Sequence, residues 1–451
     1  MKTRKGCFRF ALWAGGFVAV LLVAVAVFVV LGMIDAPPPD ESVLHLADLK
    51  APAPEDNAFP DFAAALGALR HEVGGRKINF KDDLDSATAD ELLAANAEAF
   101  DHVRAATAKC GFFDPVWRES ALENGGRKLG LDFRAVRELL ILMRLKARRC
   151  REGGDIDGAL TIVDDMAAIA DRLRDNARTI MEWHFGIGFQ ESADRACGTL
   201  VQSEHLTRQK LALLRHAVFD RMGRWRGSVD RTLVAETATV LGGLDNWTAA
   251  DFRKSEAFLP FLPWRFQFHP NRSKALVISF LEEARTLCSK NYNRDDWTRF
   301  EQDLSERLCF NVAGHFPDFR NLVGRGELVA AVAFGYPSVP RLAAQTEFSC
   351  AALAVQLAAE EFRRDKGKYP AALEEMVPGY LPEVPKDPFD DGRPIKYNPE
   401  TRVLYTVGPD RAFTGKLPDK DELNKMSRSQ LRGIDHCLRN LDGSPLPIPA
   451  E

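Results

Sequence analysis

Nine histidines and 64 acidic residues are the raw material for acid–base or metal chemistry in this chain. Spacing decides whether any of them can act together. The closest grouping is Glu182, His184 and Glu191. A zinc centre needs three or four converging ligands, and this spacing supplies no such set. His184 therefore reads as a helix-surface or satisfied core histidine. Asp101–His102 and Glu204–His205 are chain neighbours, which do not face each other on a helix, so neither forms a dyad. The nucleophile elbow, the zincin helix, the P-loop and the dinucleotide-binding loop are all missing from the sequence. Gly186-Ile187-Gly188 is only half of a dinucleotide loop and follows no strand-like run. Eight cysteines contain no C-x-x-C pair, and seven of them follow the N-terminal apolar run. They are expected to pack as small buried free thiols. No catalytic or cofactor-binding residue emerges from types and spacing.

Helical periodicity dominates from about residue 57 to 330. Helices are expected over 89–108, 132–149, 155–176, 203–221, 273–289 and 295–308. In 132–149, Val136, Leu139, Leu140, Met143 and Leu145 recur at helical intervals. The turn Glu152-Gly153-Gly154-Asp155, with Gly158-Ala159-Leu160 after it, ends one helix on glycine and starts the next on aspartate. It looks like the helix-to-helix turn of a tetratricopeptide repeat, but no second copy follows at that period, so one αα-hairpin is expected. Trp264-Arg265-Phe266-Gln267-Phe268-His269-Pro270 is the densest aromatic run. It reads as a buried connection between helical units, with a groove or the bilayer as its alternative contact.

The ends of the chain differ in kind from this body. Residues 10–34 form a run of 25 without a charge, long enough to span a hydrocarbon core of about 30 Å. Lys2, Arg4, Lys5 and Arg9 precede it, and Asp35, Asp40 and Glu41 follow. That bias keeps the N-terminus cytoplasmic and sends the body outward as a single-pass anchored protein. The run is longer than the apolar core of a cleaved leader, and Leu31-Gly32-Met33-Ile34 is a poor cleavage site. The chain's net charge of −4 becomes −8 without the four basic residues. An acidic body excludes nucleic acid as the expected partner. Residues 35–57 carry Pro37-Pro38-Pro39 and Pro52-Ala53-Pro54, and read as a stiff solvated linker.

Near the C-terminus, Phe348, Ala352, Val355, Ala359 and Phe362 make one apolar stripe on a helix from Val339 to Lys366. Gly367 is the expected cap, and Pro370 opens a short helix to Met376. Four prolines then bar regular structure as far as Pro394. Residues 395–398 and 403–407 alternate as a hairpin around Pro399-Glu400. Strand is expected only there, with one short helix at 427–440 in a polar tail.

This order resembles the globular head of the major pseudopilins of type II secretion. The matching residues are Gly367, Tyr369-Pro370, Leu373, Val377, Tyr380-Leu381, Val384-Pro385, Asp387-Pro388 and Tyr405-Thr406-Val407-Gly408-Pro409-Asp410, within about 60 of the 451 residues. The resemblance implies a fold in which the long helix packs on a small sheet. It also implies calcium held through Asp410, as the family's acidic loop does. Arg411 stands where the family has glycine, and Gly6-Cys7-Phe8 lacks the glutamate of a pilin leader junction. Assembly as a usual pilin-like subunit is therefore not expected.

The sequence thus predicts a mainly α chain. Its parts are a basic end at 1–9, an anchor at 10–34, a linker at 35–57, a helical body at 58–335, a pseudopilin-head-like α+β unit at 336–415 and a polar tail at 416–451. The expected setting is the inner membrane of a bacterium, with the lipid bilayer as one partner and an unidentified protein as another. A non-enzymatic interaction or assembly module is the first functional expectation. An enzyme or ligand-binding receptor with its site among the helices is the alternative, and an accessory component of type II secretion is the third.

Overall fold

A computed structural model describes residues 20–27, 30–31, 33–44, 52–73, 76–77, 84–114, 131–201, 203–244, 263–290, 292–308, 335–409 and 438–441. The expected calcium ligand Asp410 lies outside these residues, as do most of the N-terminal half of the apolar run and residues 427–437 of the expected tail helix.

The protein is mainly helical. Short helix α1 (Phe59–Gly67) is followed by a two-residue hairpin, β1 (Glu72–Val73) and β2 (Arg76–Lys77), then α2 (Ser86–Ala95) and α3 (Ala97–Thr107). The single helix expected at 89–108 is broken at Asn96. That side chain is fully buried, accepts from the Arg70 N–H at 2.8 Å, and donates to the carbonyls of Arg70 at 3.1 Å and Leu92 at 2.9 Å. An amide that serves a distant backbone in this way leaves its own helix interrupted.

Helices α4 (Phe133–Glu152), α5 (Ile156–Asn176) and α6 (Ile180–Leu200) form the body's centre. Asp132, Asp155 and Thr179 cap their N-termini, and Asp155 accepts from Gly158 N at 2.9 Å. Gly154 takes the left-handed φ of +79° that the tight turn between α4 and α5 requires. The half dinucleotide loop is part of α6. A Cβ on Gly186 would sit 3.1 Å from Leu173 Cβ and 3.3 Å from both Arg174 N and the Trp225 ring. That glycine serves helix packing.

Helices α7 (Arg208–Arg221) and α8 (Arg224–Leu244) come next, then the one-turn α9 (Trp264–Gln267), α10 (Pro270–Cys288) and α11 (Arg294–Leu308). The expected start at Ser203 moves to Arg208 because Thr207, not Ser203, supplies the cap. The segment expected to be a solvated spacer is in part docked. Asp35 accepts from the N–H groups of Asn271 at 2.9 Å and Arg272 at 3.2 Å, and Asn271 Nδ2 donates to Ala36 O at 2.8 Å. Lys274 pairs with Glu41 at 3.0 Å, and Leu44 is buried in the helical core beside α8. The carboxylate right after the apolar run thus caps a helix far along the chain.

Helix α12 (Ser338–Lys366) ends on Gly367 in the left-handed region, φ +74°, where the sequence placed its cap. Of its 29 residues, 20 are buried, so it has no solvent face along most of its length. Cys350, Leu353, Ala354 and Leu357 face the body. Phe348, Ala352, Val355, Ala359 and Phe362 pack with Ile395 and Leu404 of the C-terminal sheet. That sheet has three antiparallel strands in the order β3 (Lys396–Asn398), β4 (Val403–Tyr405), β5 (Leu438–Asn440). Leu404 faces Tyr397 on one side and Arg439 on the other. Two expectations are corrected here. Residues 438–440 are strand, not the end of a helix, because β4 offers them an open edge. Strand also occurs outside 395–407, in β1–β2 and β5. Among the described residues, no sheet before residue 330 exceeds two strands.

Candidate functional site: a cleft between body and C-terminal unit

The site begins at the turn joining α7 to α8. Gly223 adopts φ +80°, which lets the chain reverse within two residues. Arg226 follows in the first turn of α8. Its backbone N–H donates to Glu347 Oε1 on α12 at 3.1 Å, and its guanidinium donates to Lys290 O at 2.5 Å. Glu347 therefore complements the positive end of α8 from another helix. Burial pushes the Glu347 carboxyl above the ordinary carboxylate range, against the pull of Arg226.

The opposite wall is the proline-rich loop from Glu383 to Pro388. Asp387 ties it down. Its Oδ1 accepts from Phe389 N at 2.9 Å and Thr406 Oγ1 at 2.5 Å, and its Oδ2 accepts from Val407 N at 3.0 Å. The Asp-Pro pair of the resemblance is thus a knot between loop and sheet. Phe389 then enters the helical core and meets Tyr292 edge-on, with ring centroids 5.5 Å apart.

Between these walls lies a hollow of about 210 Å³, floored by Phe219, Met222 and Ala351 and rimmed by Arg226, Glu347, Glu383 and Lys386. A narrower hollow of about 30 Å³ shares Arg226, Glu347 and Pro388 with it and is lined also by Cys288, Tyr292 and Trp297. Pockets that engulf a small organic ligand run to roughly 300–1,000 Å³. The larger hollow is therefore sized for a side chain or a few atoms of a partner. Its lining mixes two cations, Arg226 and Lys386, with three acids, Glu347, Glu383 and Asp387, and among the described residues neither serine nor histidine lines it. Cys288, in the narrower part, has its thiol pushed up to about 12 by burial and is a poor nucleophile. The hollow thus sets charged side chains around an apolar floor.

Other titratable groups are buried in the body. Glu182 accepts from Arg178 N at 2.7 Å, while Thr179 Oγ1 accepts from Glu182 N at 3.2 Å. The pair closes the N-terminus of α6. Burial, reinforced by Asp114, pushes the Glu182 carboxyl up to about 7 despite the Arg178 N–H. Glu236 accepts from Ile180 N at 2.8 Å and is also raised by burial. His184 turns instead toward Ser338, 3.5 Å away, and burial with Arg341 nearby lowers its pKa. Glu182 and His184 therefore serve different neighbours and form no shared site. Asp194 accepts from Gln190 Nε2 at 2.7 Å and from the Cys350 thiol at 3.5 Å, and its carboxyl is raised by burial. Cys197, beside it, is pushed up to about 12 by burial. Of the five described cysteines all are free, but only Cys197 and Cys350 are fully buried, and Cys110 is exposed.

Among the described residues, no group of three or more His, Cys, Asp and Glu is placed to hold a metal ion. Sequence reading missed the cleft altogether. Its members lie at 219–226, 347–351 and 383–392, and no local pattern joins them. Comparison with family models, with curated proteins and with solved structures returned no match.

Proposed function

We propose that the chain is a membrane-anchored envelope protein whose body presents a recognition surface to a protein partner. One observation carries the anchor. Val20, Leu21, Leu22, Val23, Val25, Val27, Val30 and Leu31 are each at least half exposed, and at 100° per residue they point to every side of a helix. An apolar surface on all sides has lipid as its natural solvent. Among the described residues no helix is by itself long and apolar enough to cross a membrane, and residues 10–19 of the run lie outside them. The reading therefore joins the uncharged sequence 10–34 to this exposed segment. The basic N-terminal end then sets the body on the far side from the cytoplasm.

The partner surface is the cleft around Arg226 and Lys386, which is too small for most cofactors and sets charged side chains around an apolar floor. The C-terminal unit, with the α12 stripe on a small antiparallel sheet and Asp387 knotting the loop, supports a pseudopilin-head plan. That plan is proposed for the fold and not for a role in secretion.

An alkaline phosphatase fusion after residue 60 should be active, and the protein should stay in membranes through a carbonate wash. Release of a soluble form beginning near Asp35 would overturn the anchor. Cross-linking the solubilised protein should trap a partner that Arg226→Glu with Lys386→Glu no longer retains. Retention unchanged by both charge reversals would remove the cleft from the reading.

A further inference from the structure

We propose that the face of the body carrying Arg265 and Arg272 rests on the bilayer and binds anionic lipid headgroups, a proposal that rests on the membrane anchor above. The apolar run ends at Ile34, which is 57% exposed. The Arg272 guanidinium donates to the Ile34 carbonyl at 3.4 Å. Bilayers add roughly 5–8 Å of headgroup on each side of the hydrocarbon core. A guanidinium one hydrogen bond from the last apolar residue lies within that layer, at the depth of the phosphates.

The attachment is firm. Asp35 takes the N–H groups of Asn271 and Arg272, Asn271 returns a bond to Ala36, and Lys274 holds Glu41. These contacts fix α10 at the point where the chain leaves the membrane, so the body cannot swing freely on a tether. One turn before α10, Arg265 is exposed and, among the described residues, has no carboxylate partner. Trp264 is half-buried, stacked on Phe268 with centroids 5.0 Å apart. A tryptophan with arginines beside it is the composition that settles at a membrane interface. Among the described residues no carboxylate pairs with either guanidinium: Asp35 accepts from backbone N–H groups and lies 3.7 Å from His269 Nδ1, and Glu41 pairs with Lys274. Phosphate oxygens complement the two guanidinium groups.

The test uses the full chain in phosphatidylcholine vesicles, with and without phosphatidylglycerol, whose acyl chains are brominated near the headgroup. Bromine quenches nearby tryptophan. Wild-type protein should lose a share of emission that Trp264→Phe protein does not lose, and phosphatidylglycerol should enlarge that share. Arg265→Glu with Arg272→Glu should abolish the enlargement while the protein still sediments after carbonate. This charge-reversal arm also decides the matter if Trp264→Phe fails to fold. Equal quenching of wild type and Trp264→Phe, or no effect of phosphatidylglycerol, in carbonate-resistant protein would overturn the headgroup contact and leave the anchor standing. Release by carbonate would overturn the anchor, and the headgroup contact with it.

Discussion

The two cores that meet along α12 are built on opposite rules. In the body, helices come closest at glycines, beside large buried rings such as Trp183 and Trp225. Gly186 brings α6 against α5 and α8, and a Cβ on Gly198 would touch Gln356 of α12 at 3.4 Å. In the C-terminal unit, the same long helix meets a sheet through Phe348, Val355 and Phe362. Sheet and helix surfaces stand further apart, so large side chains must fill the gap. The body is therefore intolerant of growth at these glycines, and the C-terminal unit is intolerant of shrinkage at its phenylalanines. Two buried acids also contrast. Glu182 is buried in the body with a backbone N–H as its donor. Glu360, 1% exposed on α12, is pushed up by burial, but hydrogen bonds from Arg363 and Arg364 at 2.7 Å outweigh this and hold it below the ordinary range.

The largest effect is expected from shrinking the sheet side. Phe362→Ala should cost about 3–5 kcal/mol by denaturant unfolding, because a cavity opens between α12, Tyr380 and the strands. Proteolysis should then cut first within the loop at 377–394. Unchanged unfolding would break the contrast between the two cores.

The next effect is electrostatic. Glu182 has its folded pKa raised from 4.5 to about 7. Its stabilising contribution is complete below about 4.5 and is lost as pH rises through 7. A shift of this size corresponds to about 3 kcal/mol. Glu182→Gln should flatten urea midpoints between pH 5 and 8. Glu360, with its pKa lowered, works in the other direction, stabilising above the unfolded value and losing that contribution as pH falls through the folded one. Glu360→Gln should therefore lower stability at neutral pH and flatten the acid limb, while leaving the slope near neutrality alone. If both variants moved the same limb, the two carboxylates would not differ as described.

The smallest effect sharpens the body side. Gly186→Ala adds one methyl against Leu173, Arg174 and Trp225, and should destabilise by about 1–3 kcal/mol in calorimetry. A stabilised variant, as helix propensity alone would give, would show that α5 and α6 can part without loss.

Where the physics is local, it was legible in the sequence. Asp132 and Asp155 announce helix starts, Gly367 announces a stop, and the Phe348–Phe362 stripe announces a buried face. Helices α6 and α8 escaped because their buried residues circle the axis, mixing Gly186, Ala193 and Gly198 with Trp183 and Trp225, so no single stripe appears. The break at Asn96 depends on Arg70, and β5 depends on an edge more than thirty residues earlier, so neither has a signature in its own segment. The cleft was illegible for the same reason. The only metal ligand suggested by resemblance, Asp410, falls outside the described residues, whereas the Asp-Pro knot at Asp387 was visible as a motif but not as a junction.

The bond from Asn271 to Asp35 spans 236 positions of sequence. Closure entropy grows only logarithmically, about 0.6 kcal/mol per doubling of the loop, so this contact is thermodynamically modest in cost. In time it is another matter. Pairs such as α4–α5 and α5–α6 join neighbours in the chain and form quickly, whereas contacts of high sequence separation wait for the rest. On that ground the helices gather first, and the docking of Asp35 onto α10 follows. A body caught before that step would be folded, with the segment around Asp35 still free to turn about it.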